Sequence, residues 1–501
     1  MSEPASAEDM SPSAFGSPIV GSLDPGVEAG AAPAALSQAG FKGMPRSGWA
    51  WAIFQGGRDP YVILITIYIF APYFTTTVVG DGVRGQAMIA NVSTLNSLFI
   101  ALTAPFLGAS IDRFGARKPL LLAIVAAMVP LIWSLWFARP GGEGLPVAAA
   151  LWIFGLIGVL FAYAEVIHNS LLMGAAGVRH APHASGLALS AGNFASVITL
   201  TFCLVAFALP GNPATASWGF IPATPLFGLD PAQSEPSRIV APIAAVLLAL
   251  GAIPLFLFTA DAPRTGVPLL RGLREGAGQL LETLRSLKGH RDTAIYLGSR
   301  MLFTDGMTAL LVFAGIYAAG VMHWGVLELL AYGILLSIFA VGGGLLGAVF
   351  DNALGPRDAV RLEIAAALLC LAAQLGMDRD RVLFFWSYDT AGPPLWDGPM
   401  FRTLPEVLYL VIGFGVAVFV TAHYASSRTL LTRLSPPDKL PAFFGLYALS
   451  GTVTVWLGSL LVGTFTGLFH SQQAGFIPIA GLLFLGLIGM MFVKGGGRLP
   501  H

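Results

Sequence analysis

The sequence predicts an all-α integral membrane protein, with twelve transmembrane helices arranged as two six-helix halves. Three observations carry that prediction. First, 55% of the 501 residues are hydrophobic and only 11% are charged, whereas the water-facing surface of a soluble domain needs about 25% charge. Mean hydropathy is +0.74. Second, mostly apolar runs of about 20 residues, the length that spans a hydrocarbon core, recur along the chain. Third, a short motif of glycines and charges occurs twice, once in each half. The same arithmetic excludes other classes. Twenty-seven bases against 27 acids leave no net charge and no basic arm, so no nucleic-acid partner is expected. Cys203 and Cys370 lie inside apolar runs, which argues against a disulfide framework or a cysteine metal site.

Taken in order, residues 1–48 are rich in Ala, Ser, Pro and Gly and read as a disordered cytoplasmic tail. No basic start followed by an apolar run precedes Trp49, so no secretory signal is expected. The predicted spans are 49–79, 88–110, 119–138, 147–173, 185–209 and 239–260 in the first half (49–260). The second half (294–494) holds 294–320, 326–350, 360–377, 405–424, 441–466 and 475–493. The first span is long, and Gly56-Gly57 followed by Pro60 marks the expected break. Between the halves, 261–293 carries six bases and leucines at helical spacing, which predicts an amphipathic cytoplasmic linker at the membrane surface. Residues 495–501 form a cytoplasmic tail.

Orientation follows the bases, because Lys and Arg are retained on the cytoplasmic side. With the N-terminus cytoplasmic, nineteen bases fall on that side, six on the other and two, Arg58 and Arg300, within spans. Both termini are therefore expected in the cytoplasm, with a bacterial inner (plasma) membrane as the expected location.

The repeated motif reads Gly108-Ala-Ser-Ile-Asp112-Arg113-Phe-Gly115-Ala-Arg117-Lys118 between spans 2 and 3. Between spans 8 and 9 it reads Gly347-Ala-Val-Phe-Asp351-Asn352-Ala-Leu-Gly355-Pro-Arg357. Glycines allow close helix approach, aspartate can cap a helix N-terminus, and arginines anchor at headgroups. The motif resembles the loop signature of the major facilitator superfamily, and implies that fold, with Gly108, Asp112, Arg113, Gly115, Arg117, Gly347, Asp351, Gly355 and Arg357 as gating loops. Asn352 stands where the first copy has Arg113, so the first copy is the expected working gate. Further stretches resemble the vacuole-effluxer-like branch, named for an autophagy-linked vacuolar amino-acid exporter. They are Ser427-Arg428-Thr-Leu-Leu-Thr-Arg433-Leu-Ser-Pro436, Phe443-Phe444-Gly445-Leu-Tyr447-Ala-Leu-Ser450-Gly451, Arg300-Met-Leu-Phe-Thr-Asp305-Gly306, and His168-Asn169-Ser170-Leu171-Leu172. Where the branch carries Tyr-Asp-x-Ala-Asn-Ser in its first helix, this chain has Phe54-Gln55-Gly56-Gly57-Arg58-Asp59.

An ionised group at the bilayer centre costs at least about 2.5–3.5 kcal/mol, so each one kept there needs a reason. Glu165, His168 and Asn169 share one face of span 4. They either bind proton or substrate, or contact headgroups near the span's end. Arg300 and Asp305 lie roughly 140° apart around span 7 and should not pair with each other. Arg300 is either a cavity residue or a snorkelling anchor, and Asp305 is the better cavity residue. Arg58-Asp59, beside the expected break, is either a gate or substrate clamp or an interfacial pair. Asn193 on span 5 completes the candidate set. One Glu-x-x-His does not make a di-metal site, and His180-Ala-Pro-His183 lacks further ligands, so no metal is expected. Trp324, Trp386, Trp396 and Tyr388 read as interfacial belts.

No Walker-type, HExxH or GxSxG motif is in a suitable context, so neither an enzyme nor a cofactor is expected. The expected function is secondary active transport of a small solute by alternating access. The solute is an amino acid or similar metabolite by resemblance, moved outward and coupled to protons, by a monomer in the lipid bilayer. The rival is a non-transporting membrane assembly or delivery factor of the same fold.

Overall fold

The computed structural model describes residues 43–114, 117–215, 219–261, 285, 287–435 and 440–497. The expected tail up to residue 42 and nearly all of the expected surface linker lie outside the described residues. Ten helices are long and apolar enough to cross a membrane: α1 (Arg46–Val78), α3 (Lys118–Phe137), α4 (Val147–Gly177), α5 (His183–Ala208), α6 (Glu235–Phe258), α7 (Arg291–Val321), α8 (Val326–Leu354), α10 (Leu404–Leu434), α11 (Phe443–Phe469) and α12 (Gln472–Met491). Two more complete the predicted set. These are α2 (Gly82–Phe114), interrupted by Gln86, Asn91 and Asn96, and α9 (Pro356–Leu375), which opens on Arg357, Asp358, Arg361 and Glu363. Every predicted span thus has its helix. α1 begins at Arg46, three residues before the predicted start.

The irregularity in α1 is not at Gly56-Gly57. Asp59 keeps helical angles (φ −65°, ψ −32°), and the backbone leaves them at Ile69 (φ −122°, ψ −66°), between π-helical turns at Val62–Tyr68 and Phe74–Val78. Pro72 has no N–H to donate one turn back, which loosens the helix there. The hydroxyls of Thr75 and Thr76 donate to the Pro72 carbonyl at 2.8 and 2.9 Å. The glycine pair serves packing instead. A Cβ on Gly57 would lie 2.5 Å from the Leu247 carbonyl oxygen and 2.7 Å from Gly251 Cα on α6, so only glycine permits this crossing.

Both halves close on themselves by one device. In the first, Lys118 at the start of α3 donates from Nζ to the carbonyls of Phe256 and Thr259 at the end of α6, at 2.9 and 2.6 Å. In the second, Arg361 at the start of α9 donates to the carbonyls of Met490 and Val493 at the end of α12, at 2.8 and 2.9 Å. A cation on the carbonyl end of a helix is favourable, and here it ties the third helix of each half to the sixth. Asp261, just past α6, accepts at 2.8 Å from the Arg117 N–H that opens α3.

Two local expectations are corrected, those for Trp324 and for the His180-His183 segment. Trp324 is buried among Tyr332, Tyr409 and Phe401, with ring centroids at 5.1–5.2 Å, where edge-on ring contacts bury its large apolar area although its Nε1 finds no hydrogen-bond partner among the described residues. Trp386 and Trp396 are exposed and Tyr388 is half-buried, in a connection that carries a two-residue-strand hairpin, Arg381–Val382 with Trp386–Ser387. His180 and His183 are half-buried on helix rather than in a loop, since Gly177 (φ 69°) makes the whole turn between α4 and α5.

Candidate functional site

Beneath the kink of α1, Arg58 and Asp59 are 1% and 0% exposed. Arg58 Nη2 lies 3.3 Å from Asp59 Oδ1, and Gln55 braces both. Its Nε2 donates to Asp59 Oδ2 at 2.9 Å, and its Oε1 accepts from Arg58 Nη2 at 3.2 Å. The guanidinium lies over the Phe161 ring of α4, 4.8 Å from its centroid, a favourable use of the ring face. Room for the carboxylate comes from Gly192 on α5, whose Cβ would overlap Asp59 Oδ2. Asn193, one residue on, is exposed. The 100° turn per residue that aims Gly192 at Asp59 carries Asn193 away from it.

Phe161 also lines a cavity of about 50 Å³ with Tyr61, Thr66, Ser93, Asn96 and Val312. Three helices of the first half and α7 of the second meet there. Its hydroxyls and amide were not singled out from the sequence, because uncharged polar residues in apolar spans give no signal that separates lining from packing.

On α4, Glu165 and His168 are buried and Asn169 is half-buried. His168 is locked onto α1. Its ring stacks on Trp51 at 4.3 Å, its Nε2 meets the Trp51 carbonyl at 2.9 Å, and Trp51 Nε1 donates to the His168 carbonyl at 2.7 Å. On α7, Arg300 donates to the Tyr447 carbonyl at 2.6 Å and to Ser450 Oγ at 2.8 Å, with its guanidinium 3.5 Å from the Tyr447 ring centroid. It is anchored in protein and is not a snorkelling group. Asp305 Oδ2 accepts from the Gly458 N–H at 2.9 Å. Both residues thus face α11 and do not pair with each other, as their angular separation predicts. Asp305 thus faces α11 of its own half, whereas Glu165 is buried on α4 of the first half.

The gating loops divide. In the first copy the side chains of Asp112 and Arg113, together with Gly108 and Gly115, lie outside what is described; Arg117 donates from Nη1 to the Ser170 carbonyl of α4. In the second, Gly347 packs on α10, where a Cβ would lie 2.9 Å from the Ala422 carbonyl oxygen. Asp351 is half-buried one turn on. Gly355 takes a left-handed φ of 84° that glycine alone adopts freely, starting α9 on Pro356. Arg357 is tied to neighbouring protein groups. It pairs with Asp358 at 2.8 Å and donates to the Lys494 carbonyl at 2.5 Å, which clamps the chain after α12.

At the opposite end from these loops the halves are joined. Gln86 of α2 donates to Thr466 Oγ1 of α11 at 2.8 Å, and Gln472 of α12 donates to Gln86 Oε1 at 3.2 Å and to the Gly82 carbonyl at 3.1 Å. Gly320 and Gly475 leave space for these side chains. Beside them Tyr68 of α1 meets Tyr332 of α8 edge-on at 6.1 Å, over Gly333. Outside this seal opens a cavity of about 430 Å³, lined by Thr76, Asp81, His323 and Gln472 among others. Among the described residues, no group of three His, Cys, Asp or Glu side chains is placed to hold a metal ion.

Solved structures share the fold over most of the chain. A mutant form of the nucleoside transporter NupG superposes with a TM-score of 0.60 at 13% identity, covering 89% of this chain and 99% of that one. The inward-open xylose transporter XylE from E. coli gives 0.56 at 13% identity, over 90% and 96%. A bacterial homologue of the human lysosomal transporter Spinster, inward-facing and unoccupied, gives 0.53 at 15% identity, over 89% and 93%. Autophagy-related protein 22 of Yarrowia lipolytica is 25% identical over 221 residues, 44% of this chain and 35% of that protein, so the match spans about a third of the relative's length. Residues 177–496 match the family described as "Vacuole effluxer Atg22 like". With that match over more than half of its length, on a major facilitator fold, the chain belongs to the Atg22-like vacuole effluxer family.

Proposed function

We propose that the protein is a secondary active transporter that exports a small solute, an amino acid or similar metabolite, by rocking its halves 49–260 and 294–494 around a site near the bilayer midplane. The observation that carries the reading is the arrangement around α1. A buried Arg58-Asp59 pair and a small, mainly apolar cavity edged by Thr66, Ser93 and Asn96 lie beneath a seal that joins the two halves at the end away from the gating loops. Arg58 suits a solute carboxylate and Asp59 an ammonium group, which is the support for an amino-acid-like substrate. The family description, a vacuole effluxer, is the support for efflux. Asp59 and Asp305 are the groups in this reading that exchange protons.

The sealed end is the outer one and both termini are cytoplasmic, on the strength of the nineteen-to-six distribution of bases. The expected bacterial plasma membrane gains no support from the matches, whose family description is vacuolar. Transport requires only one copy of the chain.

Purified protein in liposomes tests the reading. Solute flux that responds to an imposed pH gradient is expected for at least one member of an amino-acid panel. No flux across amino acids, sugars and organic ions would overturn it in favour of an assembly or delivery factor. Reporters placed near Glu143 and near Glu275 should report opposite sides of the membrane.

A further inference from the structure

We propose that Glu363 and His423 form a proton-binding site in the second half, taking up one proton as a pair. Neither residue belongs to the clusters above. Both are 0% exposed, Glu363 on α9 and His423 on α10. His423 Nδ1 lies 4.0 Å from Glu363 Oε2, and Ser426 Oγ donates to the other carboxyl oxygen, Oε1, at 2.8 Å. Glu363 Oε2 and both ring nitrogens of His423 have no hydrogen-bond partner among the described residues. Phe303 of α7 meets the imidazole ring at 4.7 Å, nearly perpendicular.

Unpartnered polar atoms in such a place are costly, at about 1–3 kcal/mol each in proteins. Helix packing alone does not require them. A carboxylate and an imidazole facing across 4.0 Å close into a hydrogen bond with a small side-chain rotation, and a single proton decides the outcome. Without it the pair is a carboxylate beside a neutral imidazole, with net charge −1. With it the pair is neutral overall, either as a carboxylic acid donating to imidazole or as a carboxylate bonded to imidazolium. The proton is the only species gained or lost, and it belongs to the pair rather than to either residue.

The flanking charges are few. Asp351 of α8 bears on Glu363, and Arg300 of α7 bears on His423; α12, which packs on α9, carries no ionisable residue between Gln472 and Met491. Position links the pair to the second gating loop. Ser426, which holds Glu363, lies one turn beyond Ala422, against which Gly347 of the motif packs.

The first half offers the contrast. Each half packs a buried histidine of its fourth helix against a phenylalanine of its first, His168 on Phe54 at 4.8 Å and His423 on Phe303 at 4.7 Å. His168 spends its Nε2 on the Trp51 backbone. In the second half that ring faces an acid.

A role for the pair in coupling rests on the transport reading above, whereas proton binding itself does not. Infrared difference spectroscopy of the full chain in nanodiscs, titrated across the neutral range, tests the binding directly. The wild type should show a buried carboxylic C=O band that Glu363→Gln removes, with proton uptake lower by about one per chain. His423→Asn should move the band's midpoint, and Ser426→Ala, which keeps both titrating groups, should shift it by a smaller step. Titrations indistinguishable from wild type in Glu363→Gln and Ser426→Ala, both confirmed folded by size exclusion, would overturn the proposal. Liposome flux separates the two readings. A band that titrates in a protein without flux keeps the site and sinks the transporter, whereas flux driven by pH with an unaltered band keeps the transporter and sinks the site.

Discussion

Gln86 and Gln472, 386 positions apart, bond to each other directly: Gln472 Nε2 donates to Gln86 Oε1 at 3.2 Å. Gln86 Nε2 also reaches the Gln472 backbone carbonyl at 3.3 Å. Uncharged amides suit a seal that must open. They satisfy each other when buried and water when exposed, without the several-kcal/mol desolvation cost that an ion pair meets on each closure. Gln86→Leu keeps most of the volume but removes the bonds to Thr466 Oγ1 and from Gln472 Nε2, leaving Gln472 only the Gly82 carbonyl, which costs about 1–3 kcal/mol of the closed state. With Cys203 and Cys370 replaced, a cysteine at Thr66, below the seal, should react about tenfold faster with an impermeant thiol reagent from the outer side. Unchanged reactivity would show that the network does not hold that end shut.

A second expectation concerns the crossing of α1 and α6. Gly57→Ala drives a methyl to 2.5 Å from the Leu247 carbonyl oxygen, and overpacking against backbone costs about 1–3 kcal/mol. Gly186→Ala meets nothing within 4 Å and should be neutral or gain up to about 1 kcal/mol of helix propensity. Thermal unfolding in one detergent compares them, and equal midpoints would show that α1 and α6 yield at the crossing.

The division between what could and could not be read from sequence has a physical basis. Span length and the Lys/Arg asymmetry are one-dimensional properties, so all twelve helices were legible to within several residues. The role of Gly56-Gly57 was not, since a glycine pair reads equally as a break or as a close contact until its neighbour is known. Arg58 and Asp59 stood out because charge is rare in such spans. Glu363 did not, because it follows three charged residues at the start of α9 and looks like part of a solvated turn, and His423 sits alone in an apolar run. Only the packing of α9 on α10 makes them a pair.

The Arg58-Asp59 pair allows its structural and functional roles to be separated. Asp59→Asn leaves Arg58 buried without its counter-charge, and breaking a buried pair from one side costs about 3–5 kcal/mol. The double variant Arg58→Met, Asp59→Asn removes both charges and should recover most of that loss. Stability recovered without flux assigns the pair to the solute or the proton. Stability and flux recovered together would make it a packing device.

Asp305 makes the sharper test, because its surroundings distinguish charge from shape. One carboxyl oxygen accepts the Gly458 N–H at 2.9 Å, and the other, Oδ1, has no hydrogen-bond partner among the described residues. Asparagine can present its carbonyl to that N–H at nearly constant volume, so Asp305→Asn should fold as the wild type does and still exchange solute. If Asp305 is a group whose proton is exchanged in each cycle, a pH gradient will no longer accelerate flux in that variant. Gly458→Ala tests position with the charge kept, since its Cβ would lie 2.9 Å from Asp305 Oδ1 and 3.0 Å from Ala309 Cβ. The carboxylate must then shift, and flux should slow while its response to the pH gradient survives. Accelerated flux in Asp305→Asn, equal to that of the wild type, would remove Asp305 from the coupling and leave the proton to other buried acids.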